Sequence, residues 1–292
     1  MTRRMRIAAL AGCILCPAAW AAPLFTSFEA AGANAAAITP TRDAFRTAVG
    51  GGSVAGANGS FGGLRREINW DGVPDASADP NPLAANFFNV TSPRGVVFST
   101  PGTGFMVSAS VGGATPTLFG FGNDFQTFSS QRLFTAINSN ITDVRFFVPG
   151  TSQAASTTAF GLIFVDVEVG GLSKLDFFDD SDVLIYTRDV LVAGNQGLSF
   201  LGATVTGGNI ARVRITAGQN TIVANGQLGN PNDDVVVMDD FLFAEPLRAV
   251  PEPSSALLVL GALAGVGVLA RRRRSAAPVF IAPLPPAEPP QS

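Results

Sequence analysis

Carboxylates are the side chains through which this sequence could do chemistry. Asp233-Asp234 and Asp239-Asp240 stand on either side of Val235-Val236-Val237-Met238. A second acidic group, Asp179, Asp180 and Asp182, lies upstream. Calcium takes about 6–8 oxygen ligands, which carboxylates and loop carbonyls can supply. A four-residue strand would hold the two Asp pairs about 13–17 Å apart, too far to share one ion unless the chain bends. Each pair could instead join another loop, such as Asp179, Asp180 and Asp182, around a structural calcium ion. The spacing is not that of an EF-hand loop. The plainer reading is solvated turn acids that deter edge-to-edge strand pairing. No other cofactor is expected.

Glu67 and Asp71 lie beside Trp70. Glycoside hydrolysis needs two carboxyl groups about the scissile bond, one with a raised pKa. Trp70 would then be a sugar platform. The expectation here is structural instead: Arg65 and Arg66 pair with these acids and Trp70 sits in the core. The sequence has no histidine, and its two cysteines, Cys13 and Cys16, lie near the start. Ser-His-Asp and Cys-His relays and His-ligated metals are thereby excluded. No catalytic residue is assigned, and the chain is expected not to be an enzyme.

Charge is divided along the chain. Residues 22–250 hold twenty acidic and twelve basic side chains, a net of −8, whereas the whole chain carries −3. The compensating arginines sit at the ends, at Arg3, Arg4, Arg6 and Arg271 to Arg274. An acidic body argues against a nucleic-acid partner, which needs clustered Lys and Arg.

The elements that must position these acids are short strands. Ile141 to Val148, Ala159 to Val169, Lys174 to Phe178, Val183 to Arg188, Leu198 to Thr206, Ile210 to Thr216 and Val235 to Phe243 read as a series with Gly, Asp and Asn turns between them. Val165, Val167 and Val169 alternate with Asp166 and Glu168. Lys174 to Phe178 and Val183 to Arg188 look like a pair joined by Asp179 to Asp182. Upstream, Phe87 to Val90, Gly95 to Ser99, Phe105 to Ser110 and Leu118 to Phe121 are apolar segments. In the Gly/Ala-rich start of the body, a helix is expected from Thr41, after Pro40. In the doublets Phe87-Phe88, Phe146-Phe147 and Phe177-Phe178, one ring is expected inward and one outward. The pattern predicts a mainly β fold, an antiparallel β-sandwich of jelly-roll-like type over 22–243.

The two ends read as membrane-directed. Residues 1–21 have the form of a signal peptide, with Ala19 and Ala21 framing the cleavage site. Leu10-Ala11-Gly12-Cys13 also resembles a lipoprotein box, but the apolar run before it is short. Residues 244–249 form a linker. Val250-Pro251-Glu252-Pro253 follows, then an almost uncharged run through Ala270, then Arg271, Arg272, Arg273 and Arg274. Ala256 to Ala270 would span about 22 Å as a helix. A single C-terminal transmembrane helix is expected there, with the arginines as a cytoplasmic stop. Residues 275–292, rich in Ala and Pro, are expected to be disordered.

The Pro-Glu-Pro motif, the apolar run and the arginines together, residues 250–274, resemble a PEP-CTERM sorting signal. The resemblance implies an exosortase as partner, transient anchoring in the inner membrane and release or attachment at the envelope of a Gram-negative bacterium that makes exopolysaccharide. Arg65 to Pro74, Ser92 to Gly104, Leu198 to Leu201 with Arg212 to Ile215, and Asp233 to Phe241 are similar to uncharacterised cargo domains found before such signals. A surface or extracellular-matrix role is expected. The alternatives are a carbohydrate-binding module for exopolysaccharide and, behind it, a polysaccharide hydrolase.

Overall fold

The computed structural model describes residues 22–223, 227–230 and 233–248, together with Gly261 and Leu263. Residues Met1–Arg248 and Ala249–Ser292 form separate compact units. The signal-peptide residues Ala19 and Ala21, the motif Val250 to Pro253, the basic stop Arg271 to Arg274 and the tail all lie outside the described residues. Among the described residues, no helix is long and apolar enough to cross a membrane.

The described part of the first unit is mainly β. It opens with β1 (Leu24–Gly32) and α1 (Ala35–Val49), followed by β2 (Ser60–Phe61), β3 (Arg65–Ile68) and the short helix α2 (Phe87–Val90). Then come β4 (Val96–Ser99), β5 (Gly104–Val107), β6 (Phe134–Ile137), β7 (Ile141–Phe146), β8 (Ala159–Val165), β9 (Lys174–Phe178) and β10 (Leu184–Asp189). The series closes with β11 (Leu198–Thr206), β12 (Arg212–Thr216), β13 (Ile222–Val223), β14 (Gln227–Leu228) and β15 (Val237–Ala244). A ten-stranded sheet runs β1-β11-β8-β15-β6-β13-β14, with β3 also on β15, β2 on β3 and β5 on β6. A five-stranded sheet runs β10-β9-β12-β7-β4. All pairings between these strands are antiparallel except β13 with β6.

The large sheet is covered on both faces. Phe160, Leu162 and Phe164 of β8 and Phe241 and Phe243 of β15 meet Val144, Phe146, Leu175, Phe177 and Val213 of the small sheet in one core. Ile163 and Val165 of β8 and Leu242 of β15 belong to a second core with Ile38 and Phe45 of α1 and Phe119 and Phe125 of the connecting loop. A strand buried on both faces loses the apolar–polar alternation, and β8 accordingly reads AFGLIFV.

Three expectations are corrected. α1 begins at Ala35, not after Pro40, because Asn34 caps it by accepting from Ala37 N–H at 3.3 Å, and Pro40 lies inside it. Phe87–Val90 is helical, and both rings of that doublet are buried, so the inward–outward rule of a strand does not apply. The strand expected through Val169 stops at Val165, where Asp166 takes a left-handed φ of 73°. The pair across Asp179 to Asp182 is present as β9 and β10. Asp179 Oδ1 closes its turn, accepting from Ser181 and Val183 N–H, each at 2.9 Å.

Gly161 and Gly202 are directly paired between β8 and β11. A Cβ on Gly202 would lie 2.9 Å from Phe45 Cδ2. The glycine is therefore what lets α1 sit on the sheet. Gly202→Val is expected to displace Phe45 and destabilise the fold by about 1–3 kcal/mol. Urea unfolding of the full chain measures this, and an unchanged midpoint would contradict the close approach.

Candidate functional site

Trp70 cannot serve as a sugar platform. It is 1% exposed, stacks on Phe134 at 4.1 Å between ring centroids, and meets Phe241 edge-on at 5.0 Å. Its indole N–H donates to the Asp239 carbonyl at 3.1 Å. Glu67 is engaged by Arg65 at 2.7 Å and by Arg46 of α1. Arg66 does not pair with Glu67 or Asp71 but with Glu245, at 2.7 Å. Asp71 Oδ1 accepts from Arg132 N–H at 3.2 Å. Burial pushes the Asp71 carboxyl up to about 6, helped by the like charge of Asp240.

Asp239 and Asp240 are not turn acids. They sit inside β15, where the register with β8 shifts between Met238 and Phe241. Such a bulge turns two consecutive side chains out of the regular alternation. Asp239 is fully buried and accepts from Phe128 N–H at 2.6 Å and Ser129 Oγ at 3.2 Å. Asp240 is 5% exposed, and its nearest cation is Arg42 of α1, at 3.9 Å. Asp240 N–H donates to Asp239 Oδ1 at 2.8 Å, and Asp240 Oδ1 is buried with no hydrogen-bond partner. Burial raises both carboxyls, and raises Asp239 well above its ordinary value.

The remaining acids separate into two places. Asp182 accepts from Arg212 at 2.7 Å, Asp179 holds its own turn, and Asp180 is exposed at the same hairpin. None of them meets Asp233 or Asp234. Asp233 accepts from Gln219 at 3.1 Å and from Asn230 at 2.6 Å. Asp234 instead joins Asp166 and Glu168, with one carboxylate oxygen of each lying within 4.8 Å of the others. The ligand set expected from sequence is thus replaced: of its seven acids, only Asp234 belongs to this group. Asp166 and Glu168 follow β8, Asp234 precedes β15, and Val165 pairs with Val237. The antiparallel pairing is what brings them together.

Asp166 Oδ1 accepts from Gln196 N–H at 2.7 Å. Burial, with the like charges of Glu168, Asp234 and Asp124, pushes its carboxyl up to about 7. Burial also raises Asp234, whose Oδ2 accepts from Val169 N–H at 3.3 Å. Among the described residues, no Arg or Lys forms an ion pair with any of the three. Sequence reasoning placed Asp166 and Glu168 on the side of a strand opposite Val165, Val167 and Val169. The signal that could have found them is their position opposite Asp234 once β8 and β15 are paired.

A mainly β unit thus precedes a C-terminal segment of a different kind. Residues 249–274 match the family described as "PEP-CTERM protein-sorting motif". The chain therefore carries a PEP-CTERM sorting signal, which indicates export and implies recognition by an exosortase. The chain has no significant match among curated proteins or solved structures.

The raised carboxyls give a pH dependence with a definite sign. Asp71, Asp239 and Asp240 hold protons in the fold at pH values where an unfolded chain, with its carboxyls near 3.8, has released them. Their contribution to stability is complete below the unfolded value and is lost as pH rises through the folded values. The unfolding midpoint of the full chain is expected to fall between about pH 5 and pH 8. Asp71→Asn should flatten the part of that fall that lies below its folded value of about 6. Thermal unfolding across a pH series measures both, and a midpoint that rises over this range would contradict them.

Proposed function

We infer that this chain is an exosortase substrate whose body is a non-catalytic sandwich delivered to the surface or extracellular matrix of an exopolysaccharide-producing Gram-negative bacterium. The match over residues 249–274 carries the reading. The Pro residues of Val250-Pro251-Glu252-Pro253 disfavour a helix, which leaves an extended segment for a membrane-embedded enzyme to grip. Cutting there separates residues 22–249 from the apolar run and from Arg271 to Arg274.

The body supports a non-catalytic role. The two acids first suited to acid–base work are occupied or apart: Glu67 is held by two arginines, and Asp71 is bonded to the backbone of Arg132. The one tryptophan of the body is spent on the core. Delivery, then, is the function the sequence specifies most closely.

Mass spectrometry of the C-terminus, in cells with and without the sorting enzyme, tests this reading. A terminus near Pro253 is expected only when the enzyme is present. Glu252→Ala should leave the uncut chain in both. An uncut chain ending at Ser292 in unmodified cells would overturn the reading.

A further inference from the structure

We propose that Asp166, Glu168 and Asp234 form a calcium site at the end of the β8–β15 pair. The argument begins with charge. Three acids converge from two strand ends, with no basic side chain paired to any of them among the described residues. Elsewhere partly buried acids meet arginine, as Asp143 does with Arg212 and Arg214, each at 2.8 Å. Here that partner is missing.

An unsatisfied atom points the same way. Asp234 is 6% exposed, and its Oδ1 is buried with no hydrogen-bond partner. Its Oδ2 and main-chain carbonyl are both used, by Val169 N–H at 3.3 Å and by Asn220 N–H at 3.0 Å. The residue is therefore fixed in place, with one oxygen left over. An unmatched buried carboxylate oxygen costs free energy that a cation would recover.

The spacing admits one shared ion. Oxygens bound to one cation lie at most twice the metal–oxygen distance apart. One oxygen of each acid lies within 4.8 Å of the others, close enough for one calcium ion with bonds of about 2.3–2.6 Å. The all-carboxylate donor set is that of a hard ion. Glu168 is exposed, so water can complete the shell and the ion can enter. Asp239 and Asp240 belong to no such group of three acids among the described residues, and Arg42 lies 3.9 Å from Asp240.

Calorimetric titration of the chelator-treated full chain with calcium chloride tests the site. One ion per chain is expected, with a dissociation constant of about 10⁻⁴–10⁻³ M, the range of extracellular modules. Millimolar calcium should also raise the thermal midpoint. Glu168→Gln, at an exposed position, should still unfold cooperatively without calcium and weaken binding by at least about tenfold. Asp180→Asn should leave binding intact. Absence of binding at about 10 mM calcium would overturn the site, as would binding that survives Glu168→Gln or is lost in Asp180→Asn.

Discussion

Two adjacent carboxyl groups in the middle of a strand that water does not reach set the terms for the rest of the domain. An isolated buried charge is costly, so Asp239 and Asp240 must be neutralised or bonded. Burial raises both carboxyls toward the neutral form, and their surroundings come from three separate stretches of chain. Phe128 and Ser129 donate from one loop, Trp70 donates to the Asp239 carbonyl from another, and Arg42 approaches from α1. One bulge in β15 thereby fixes elements from both faces of the large sheet. The stacked ring of Trp70 on Phe134 is held in register by the same contact.

Arginine is the complementary device. Arg65 reaches the carbonyls of Gly50 and Gly52 as well as Glu67, tying the glycine-rich segment after α1 to β3. Arg212 lies over the Phe178 ring at 3.6 Å while bonding Asp143 and Asp182. Such side chains combine a planar fork with an apolar face. With no thiol in residues 22–248, these multidentate contacts do the cross-linking that disulfides do in many exported domains.

Much of the β architecture was legible because it depends on local signals. The β9–β10 hairpin is announced by Asp179 to Asp182, and the β12 run Arg212 to Ile215 alternates as a half-buried strand does. The sorting signal is linear and needs no fold to be read. What escaped depends on long-range pairing. Asp239-Asp240 looks like a solvated turn until β15 is known to be central. Asp166 and Glu168 look like one side of a continuing strand until β8 is seen to end at Val165. β1 was hidden by its alanines and glycine, which carry little strand preference, and it is held by nine residue pairs with β11.

The position of β15 in the chain has a bearing on the timing of assembly. It lies between β8 and β6 in the large sheet, yet it is the last strand before the sorting motif, with five residues between Ala244 and Val250. Everything upstream can cross a membrane and still lack the middle of its main sheet. The keystone arrives together with the segment that an exosortase reads. Closure of the main sheet and presentation of the sorting motif thus become nearly simultaneous events, so a chain truncated before β15 loses its architecture and its address at once.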